Sequence, residues 1–443
     1  MTTPRRVLLV TYHFPPAAEV GALRGEKFAK YLPEFGWRAH VLTVARGAAR
    51  GAATTETADV ERTAVWPGPR DLYQALRARR ARPAGAAAPA MDASDRPFED
   101  KDAAAPGAAA MLKRAALSLL WWPDEVSGWW PPAVLAGRRL LRRHRFDALI
   151  TTGPPHTAHL VGLALARPGL PWIADLRDPW AGNPGKPRII RSALSDALDR
   201  RGERAVLARA SAIVVGTERF RAELARRHPD LAGRLHLIPA GVDAADFDGI
   251  PRVPPEKFTV AHIGELYYRR SPEPLFAGLG ALVREHAVPR EEVEVLLAGM
   301  CRDGIDAAAL ARRHGIDDLL RLRGQVPRRQ ALELMMSAGA LVLLAQAQPL
   351  QVPAKAFEYV AAGAPIIAVT GDGATSDLIG ETGAGWVVAP DDVRGMRAAL
   401  LGAYGEWRRR RAGEPAACPE TARRFDRRQL TGRLAALLDG GRG

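Results

Sequence analysis

The sequence predicts an α/β protein of two domains, each built on a parallel sheet. Three observations lead there. The chain has 443 residues, too long for one ordinary α/β core and suited to two domains of roughly 150–250 residues. Short apolar runs alternate with longer helical patterns almost throughout, as strands do with their crossover helices. A turn- and proline-rich stretch, Ile238 to Phe247 followed by Pro251-Arg-Val-Pro-Pro255, divides two such series.

In the first series, strands are expected at Val7–Thr11, Ala39–Val44, Ala148–Thr152, Trp172–Ala174, Ala212–Val215 and Leu235–Pro239. Helical patterns cover Ala22–Phe35, His156–Ala166 and Leu194–Ala210. The second series has strands at Thr259–Ile263, Glu294–Ala298, Leu320–Arg323, Leu341–Leu344, Pro365–Val369 and Gly385–Val388. Its helices fall at Pro272–His286, Ala307–His314, Arg328–Ser337, Lys355–Ala361 and Asp392–Gly402. The domains are therefore set at 1–249 and 250–418, with a helical tail over about 419–443 that returns to the first domain. Residues of about 78–110 are rich in Ala, Pro, Gly and Asp and poor in large apolar groups, so a flexible insertion is expected there.

Composition narrows the function classes. Hydrophobic residues make up 47% of the chain, enough for sizeable cores. The two cysteines, Cys301 and Cys418, are far apart, which excludes a disulfide framework or a CxxC zinc site and suits a reducing compartment. The apolar run from Val7 is too short for a signal peptide, and no stretch approaches the about 20 apolar residues of a membrane-spanning helix. A cytoplasmic protein is expected. The net charge of +14, from 63 basic and 49 acidic residues, favours anionic partners. No nucleic-acid-binding motif accompanies it, so no nucleic acid is expected.

Three loops carry the chemistry. The first strand ends in Thr11-Tyr-His-Phe-Pro-Pro-Ala-Ala-Glu-Val-Gly-Ala-Leu-Arg24. Loops at the carboxyl edge of an α/β sheet bind ligands, and Gly21 at the helix start permits close backbone approach to an anion. No GxGxxG occurs, so a nicotinamide dinucleotide is not expected. The second series opens with Val260-Ala-His-Ile-Gly-Glu-Leu-Tyr-Tyr-Arg-Arg-Ser-Pro272, where Gly264 ends a strand and Arg269 and Arg270 precede a helix. Two guanidiniums there suit a diphosphate. The third run is Val352-Pro-Ala-Lys-Ala-Phe-Glu-Tyr-Val-Ala-Ala-Gly-Ala-Pro-Ile-Ile-Ala368. Lys355 and Glu358, three apart, share a face in the first turns of a helix. The lysine and the helix start can hold phosphate; the carboxylate can accept hydrogen bonds from ribose hydroxyls.

This last run resembles the nucleotide-binding signature of the retaining glycosyltransferases of family 4. Gly264 to Arg270 is similar to that family's glycine-then-basic donor segment. Val214-Val-Gly-Thr-Glu218 with Ile238-Pro-Ala-Gly-Val-Asp243 is similar to its paired strand and linker. Tyr12-His-Phe-Pro-Pro16 with Gly21 and Arg24 resembles its N-terminal loop, and Ala174-Asp-Leu-Arg-Asp-Pro-Trp180 a subset of its members. The matches run in order over most of the chain. The resemblance implies the GT-B fold, two Rossmann-like domains whose parallel sheets face a central cleft. It further implies transfer with retention at the anomeric carbon, no metal cofactor, and a nucleotide-sugar donor held by the C-terminal domain, UDP-linked as the first expectation. One departure stands out: many members carry a first glutamate eight residues before the ribose-binding one, and here that position is Leu350. The segment from Leu350 to Pro353 is then expected to meet the sugar through its backbone or Gln351.

On this reading Arg270, Lys355 and His156 are the catalytic candidates, and Gly21, Gly264, Arg269, Arg270, Gln351, Lys355 and Glu358 bind the donor. His156 follows Thr151-Thr-Gly-Pro-Pro155 at a helix start, and a family histidine near this position contacts the donor sugar. On the acceptor side stand Arg177 and Asp178, with Trp129 and Trp130 from the Trp-rich run Trp121 to Pro132. Arg138, Arg139, Arg142, Arg143 and Arg145 follow that run. Aromatic beside basic groups suit an anionic membrane surface and a lipid-linked saccharide acceptor; stacking on a soluble acceptor and plain packing are the alternatives. The DxD strings at Asp100 and Asp246 lie in the insertion and the linker, so no metal is expected. The rival chemistries are a nucleotide-sugar 2-epimerase and a transferase with a small soluble acceptor.

Overall fold

The computed structural model describes residues 4–17, 20–45, 51–54, 58–68, 70–73, 108–183, 186, 190–267, 270–302, 304–413 and 420–440. Most of the expected insertion, together with Arg269 and Cys418, lies outside them. The chain forms two compact units. The first holds Met1–Gly216, Phe220–Ile238 and Thr431–Gly443; the second holds Thr217–Arg219 and Pro239–Leu430. The division thus falls at Pro239, ten residues or so before the expected one. The reason is packing: Val242 and Ile250 of the proline-rich stretch join a core of the second unit.

The first unit is built on an eight-stranded sheet in the order β3-β4-β2-β1-β5-β6-β7-β8. The strands are β1 (Arg5–Thr11), β2 (Trp37–Val44), β3 (Gly51–Thr54), β4 (Ala58–Thr63), β5 (Ala148–Gly153), β6 (Trp172–Leu176), β7 (Ala212–Val215) and β8 (Leu235–Leu237). All pairs are parallel except β3 with β4. The central strands are covered on both faces, which is why Val7-Leu-Leu-Val10 is a continuous apolar run rather than an alternating one. Strands β3 and β4 were not expected. Ala58-Asp-Val-Glu-Arg-Thr63 carries charge on half its positions, as a near-edge strand must, and hides the apolar signal. The helices are α1 (Val20–Tyr31), α2 (Ala108–Trp121), α3 (Trp130–Arg143), α4 (Thr157–Leu165), α5 (Ala193–Arg209) and most of α6 (Glu218–Arg227). Helix α3 opens on two prolines, whose missing N–H groups cost nothing in a first turn. It buries Ala133, Val134, Ala136, Gly137, Leu140 and Leu141.

The second unit is a six-stranded, wholly parallel sheet in the order β11-β10-β9-β12-β13-β14. Its strands are β9 (Phe258–Ile263), β10 (Val293–Ala298), β11 (Leu320–Arg323), β12 (Ala340–Leu344), β13 (Ile366–Val369) and β14 (Gly385–Val388). In order of occurrence this is 3-2-1-4-5-6, with the reversal between β9 and β12. Side chains alternate between two cores. Phe258, Val260, Ala340, Val342 and Leu344 enter one; Ala261, Ile263, Leu341 and Leu343 enter the other. Helices α7 (Glu273–Arg284), α8 (Ala307–His314), α9 (Arg328–Met336), α10 (Lys355–Ala362), α11 (Ala374–Thr382) and α12 (Val393–Arg411) cover the faces. Helix α13 (Arg427–Gly440) begins in this unit and ends in the first. There Asp439 accepts a hydrogen bond from Trp37 at 3.0 Å and pairs with Arg5 at 2.6 Å.

One buried ion pair ties the first unit together. Arg24 of α1 meets Asp175 of β6 through two hydrogen bonds of 2.7 Å and donates a third to the carbonyl of Ile238. Thr152 of β5 donates to the same carboxylate at 2.6 Å. Burial raises the Asp175 pKa, but Arg24, these hydrogen bonds and Arg177 outweigh it and hold the carboxyl below its ordinary range. Asp175 is thus spent inside the fold. Replacing Asp175 with alanine strands a buried guanidinium and should destabilise the protein by about 3 kcal/mol or more, read from denaturant unfolding. Because the folded pKa is depressed, the pair's contribution is complete above the unfolded carboxylate pKa and is lost as pH falls through the folded one.

Candidate active site

Ligands in open α/β sheets bind outside the carboxyl ends of the strands, where the strand order reverses. In the second unit that edge is made by the loops after β9 and β12 and by the start of α10. Gly264 follows β9 with φ of 131°, a conformation that L side chains rarely adopt. A methyl group on it would also lie 2.4 Å from the Lys355 ammonium. The first residue of α10 therefore rests its charge directly on the glycine. The Lys355 Nζ is 3.2 Å from Nε2 of His262, and Nδ1 of the same ring is 2.8 Å from the carbonyl of Val342. Burial, with Arg270 nearby, pushes the Lys355 pKa down to about 7, against the opposing pull of Glu358 and Glu265.

Arg270 is buried, with its guanidinium 4.4 Å over the ring of Tyr267 and one amino group donating to Gln348 at 3.2 Å. Its Nε has no hydrogen-bond partner among the described residues. Gln346, at the end of β12, donates to the carbonyl of Ser271 at 3.2 Å, while its Oε1 is buried without a partner. Ala347 beside it has φ of 59°, a strained conformation for a residue with a Cβ. Unsatisfied polar atoms and backbone strain thus gather at this one edge. Glu358, one turn into α10, accepts a hydrogen bond of 2.9 Å from Arg328, which also binds Asp246 at 2.7 Å. The segment without the first glutamate is held by its backbone. The carbonyl of Leu350 accepts from Thr217 at 2.7 Å and that of Gln351 from Thr375 at 3.3 Å.

In the first unit the corresponding edge lies after β1 and β5. His156 sits at the start of α4, stacked on Trp180 with centroids 4.8 Å apart and planes parallel. It is buried, and neither ring nitrogen has a hydrogen-bond partner among the described residues. Burial first, then His159, Arg177 and Lys186, hold its pKa well below the ordinary value, so the ring is neutral. Asp124 caps the same helix start, accepting from the backbone N–H of Thr157 at 2.8 Å and from its hydroxyl at 2.6 Å. Arg177 donates to the carbonyls of Gly153 at 3.1 Å, Gly21 at 3.2 Å and Pro154. A methyl on Gly21 would lie 3.1 Å from His13. Asp178 is half-buried and its charge favours the Arg177 cation.

Residues 96–246 match the family model described as Glycosyltransferase Family 4, and residues 257–405 match Glycosyl transferases group 1. The two spans together cover well over half of the chain. The chain is a family 4-like glycosyltransferase. Its fold agrees. The sucrose-phosphate synthase of Thermosynechococcus elongatus superposes with a TM-score of 0.65 at 16% identity, over 98% of each chain. The UDP-forming α,α-trehalose-phosphate synthase of Burkholderia xenovorans gives 0.62 at 14%, over 98% of this chain and 100% of that one. WaaG, a glycosyltransferase involved in lipopolysaccharide biosynthesis, gives 0.57 at 14%, again over 98% and 100%. No curated protein matches by sequence.

For the transferase, the structure brings Gly264, Arg270, Lys355 and Glu358 to one edge, and corrects the sequence reading elsewhere. Trp129 is fully buried, donates to Thr63 at 2.8 Å and packs edge-on against Tyr12 at 5.3 Å, so it cannot stack on an acceptor. The reason is that it closes the turn into α3 from inside. Trp130 is exposed. Arg177 spends three donors on backbone carbonyls and braces the loops after β1 and β5. Asp246 is an ion-pair partner of Arg328. Among the described residues no cluster of metal-ligating side chains occurs. Arg328, His262 and Gln346 were missed, because their partners lie tens of residues away in sequence and no local motif marks them. Gly264→Ala should displace the Lys355 ammonium and weaken nucleotide binding by about tenfold, measured by calorimetry, while the fold survives.

Proposed function

We propose that the enzyme transfers a sugar, with retention and without a metal, from a nucleotide-sugar to a hydroxyl of a lipid-linked or envelope saccharide. The observation that carries this reading is the Lys355 ammonium seated on Gly264 beside Arg270, at the sheet edge where the strand order reverses. Two cations there would neutralise a diphosphate. Charge on the leaving group grows as the glycosidic bond breaks, so fixed cations stabilise the transition state more than the ground state. This assigns to side chains the task a divalent metal performs in other transferases. Glu358, oriented by Arg328, would accept hydrogen bonds from the ribose. The neutral His156 imidazole, with both nitrogens unpartnered, would hydrogen-bond a hydroxyl of the donor sugar. Retention follows from the family resemblance. UDP is the first nucleotide to test, and the similar trehalose-phosphate synthase is described as UDP-forming.

The acceptor reading rests on the first unit. Arg138, Arg139, Arg142 and Arg143 form one exposed stripe of α3, none paired with a carboxylate among the described residues. Leu135 on the same stripe is 52% exposed, and α2 exposes Met111 and Leu112 at 71% and 74%. Basic and apolar groups together suit reversible attachment to an anionic leaflet, at about 1 kcal/mol per basic residue. No described helix is long and apolar enough to cross a membrane.

Three outcomes are expected. Glu358→Ala should weaken UDP binding about tenfold in calorimetry; a folded variant with unchanged affinity contradicts the ribose role. Turnover should survive EDTA; loss restored by manganese contradicts the metal-free mechanism. The protein should sediment with anionic vesicles at low salt, less at high salt, and less when the four α3 arginines are neutralised. Absence of vesicle binding at low salt would leave a soluble acceptor.

A further inference from the structure

Strand β9 places Phe258 and Val260 in one core, and its period of two brings His262 to the same side. An apolar residue is what the pattern calls for. Instead a fully buried imidazole stands there. Such a ring is costly unless both nitrogens are satisfied.

The sheet supplies the partners. The ladder between β9 and β12 contains only the pairs Ala340 with Val260 and Leu341 with Ala261. The strands part before His262, at the point where the strand order reverses. The ring reaches across, with Nδ1 2.8 Å from the carbonyl of Val342. A carbonyl only accepts, so Nδ1 carries the proton. Nε2 of the neutral ring is then a lone-pair acceptor, and the Lys355 ammonium donates to it at 3.2 Å. We propose that His262 is a positioning residue that aims the Lys355 ammonium at the donor diphosphate and links donor binding to pH.

The inference rests on the donor reading above and deepens it. His262 occupies one of the three N–H groups of Lys355, and the tip sits in the space that the missing side chain of Gly264 leaves, so the other two donors are directed before substrate arrives. That preorganisation is what a site for a charged leaving group needs. Burial first, then Lys355 and Arg270, keep the His262 pKa well below its ordinary value, so the ring remains an acceptor through the neutral range. The groups facing the ammonium are His262 from β9, Arg270 and Glu265 from the loop after it, and Glu358 from its own helix. Glu265 is engaged by Arg302 at 2.9 and 3.0 Å, and Glu358 by Arg328. Burial and Arg270 therefore prevail, and Lys355 titrates at about 7. A bound diphosphate favours the cation and raises that pKa. Binding then takes up a fraction of a proton near neutrality and weakens as pH rises through 7.

The test is calorimetry of the full chain with UDP and with inorganic pyrophosphate, which is blind to the base. Runs in buffers of different ionisation heat give the protons taken up. Wild type should take up protons at pH 7, and Lys355→Met should not. His262→Phe should weaken binding about tenfold and move the loss of affinity to lower pH, because the ammonium has lost an acceptor. His262→Gln, which keeps an acceptor, should retain most of the affinity and guards against a Phe variant that fails to fold. A folded His262→Phe with wild-type affinity and pH dependence overturns the positioning role and leaves the donor reading standing. Wild type that binds neither UDP nor pyrophosphate overturns both.

Discussion

One constraint governs the donor edge: a half-buried lysine ammonium stands at the end of a parallel sheet with no carboxylate bonded to it among the described residues. Desolvation alone would expel such a charge. What keeps it is geometry. Lys355 opens α10, the backbone of Gly264 leaves room for its tip, and His262 offers a neutral acceptor. The glutamates that would neutralise it are held by Arg302 and Arg328. The charge is therefore left for a ligand. Arg270, buried with Nε unpartnered, adds a second cation to the same edge.

The first unit meets the opposite problem, that of ordering two loops rich in proline and glycine that have little apolar surface. Arginines do it. Arg24 ties α1 to β6 through the Asp175 carboxylate, and Arg177 gathers the carbonyls of Gly21, Gly153 and Pro154. Sequence patterning marks Arg177 as a site candidate and places Arg24 in the loop that resembles the family's N-terminal one. Their donors turn out to serve the loops themselves. His156 differs: its stack on Trp180 fixes the ring while leaving both nitrogens for chemistry.

Much of the fold is legible in the sequence because parallel strands covered on both faces are written as apolar runs, Val7 to Val10 and Leu341 to Leu344 among them. Strand β4 escapes because half its positions are charged, and β3, Gly-Ala-Ala-Thr, because it is short and holds no large apolar residue. Helix α11 escapes because Ala374 to Thr382 is short, polar at half its positions, and follows glycine. In the site, residues in local motifs are readable: Lys355 and Glu358 share the first turns of one helix as their spacing suggests, and Gly264 and Arg270 stand at the same edge. Residues that act across the sheet are not. Arg328 reaches Glu358 thirty positions away, and His262 meets Lys355 only because β9 and α10 converge. Trp129 misleads for a related reason. An aromatic cluster reads the same whether its rings face water or the core, and only packing distinguishes Trp129 from Trp130.

The chain has seven lysines, few enough to resolve individually by NMR of side-chain-labelled protein. Titrating the Nζ signals with and without UDP tests the central constraint directly. One lysine signal, absent from Lys355→Met, should titrate at about 7 in the free enzyme and move upward when UDP binds. If every lysine keeps its ordinary pKa and none responds to the nucleotide, the Lys355 ammonium is not the anchor of the donor site.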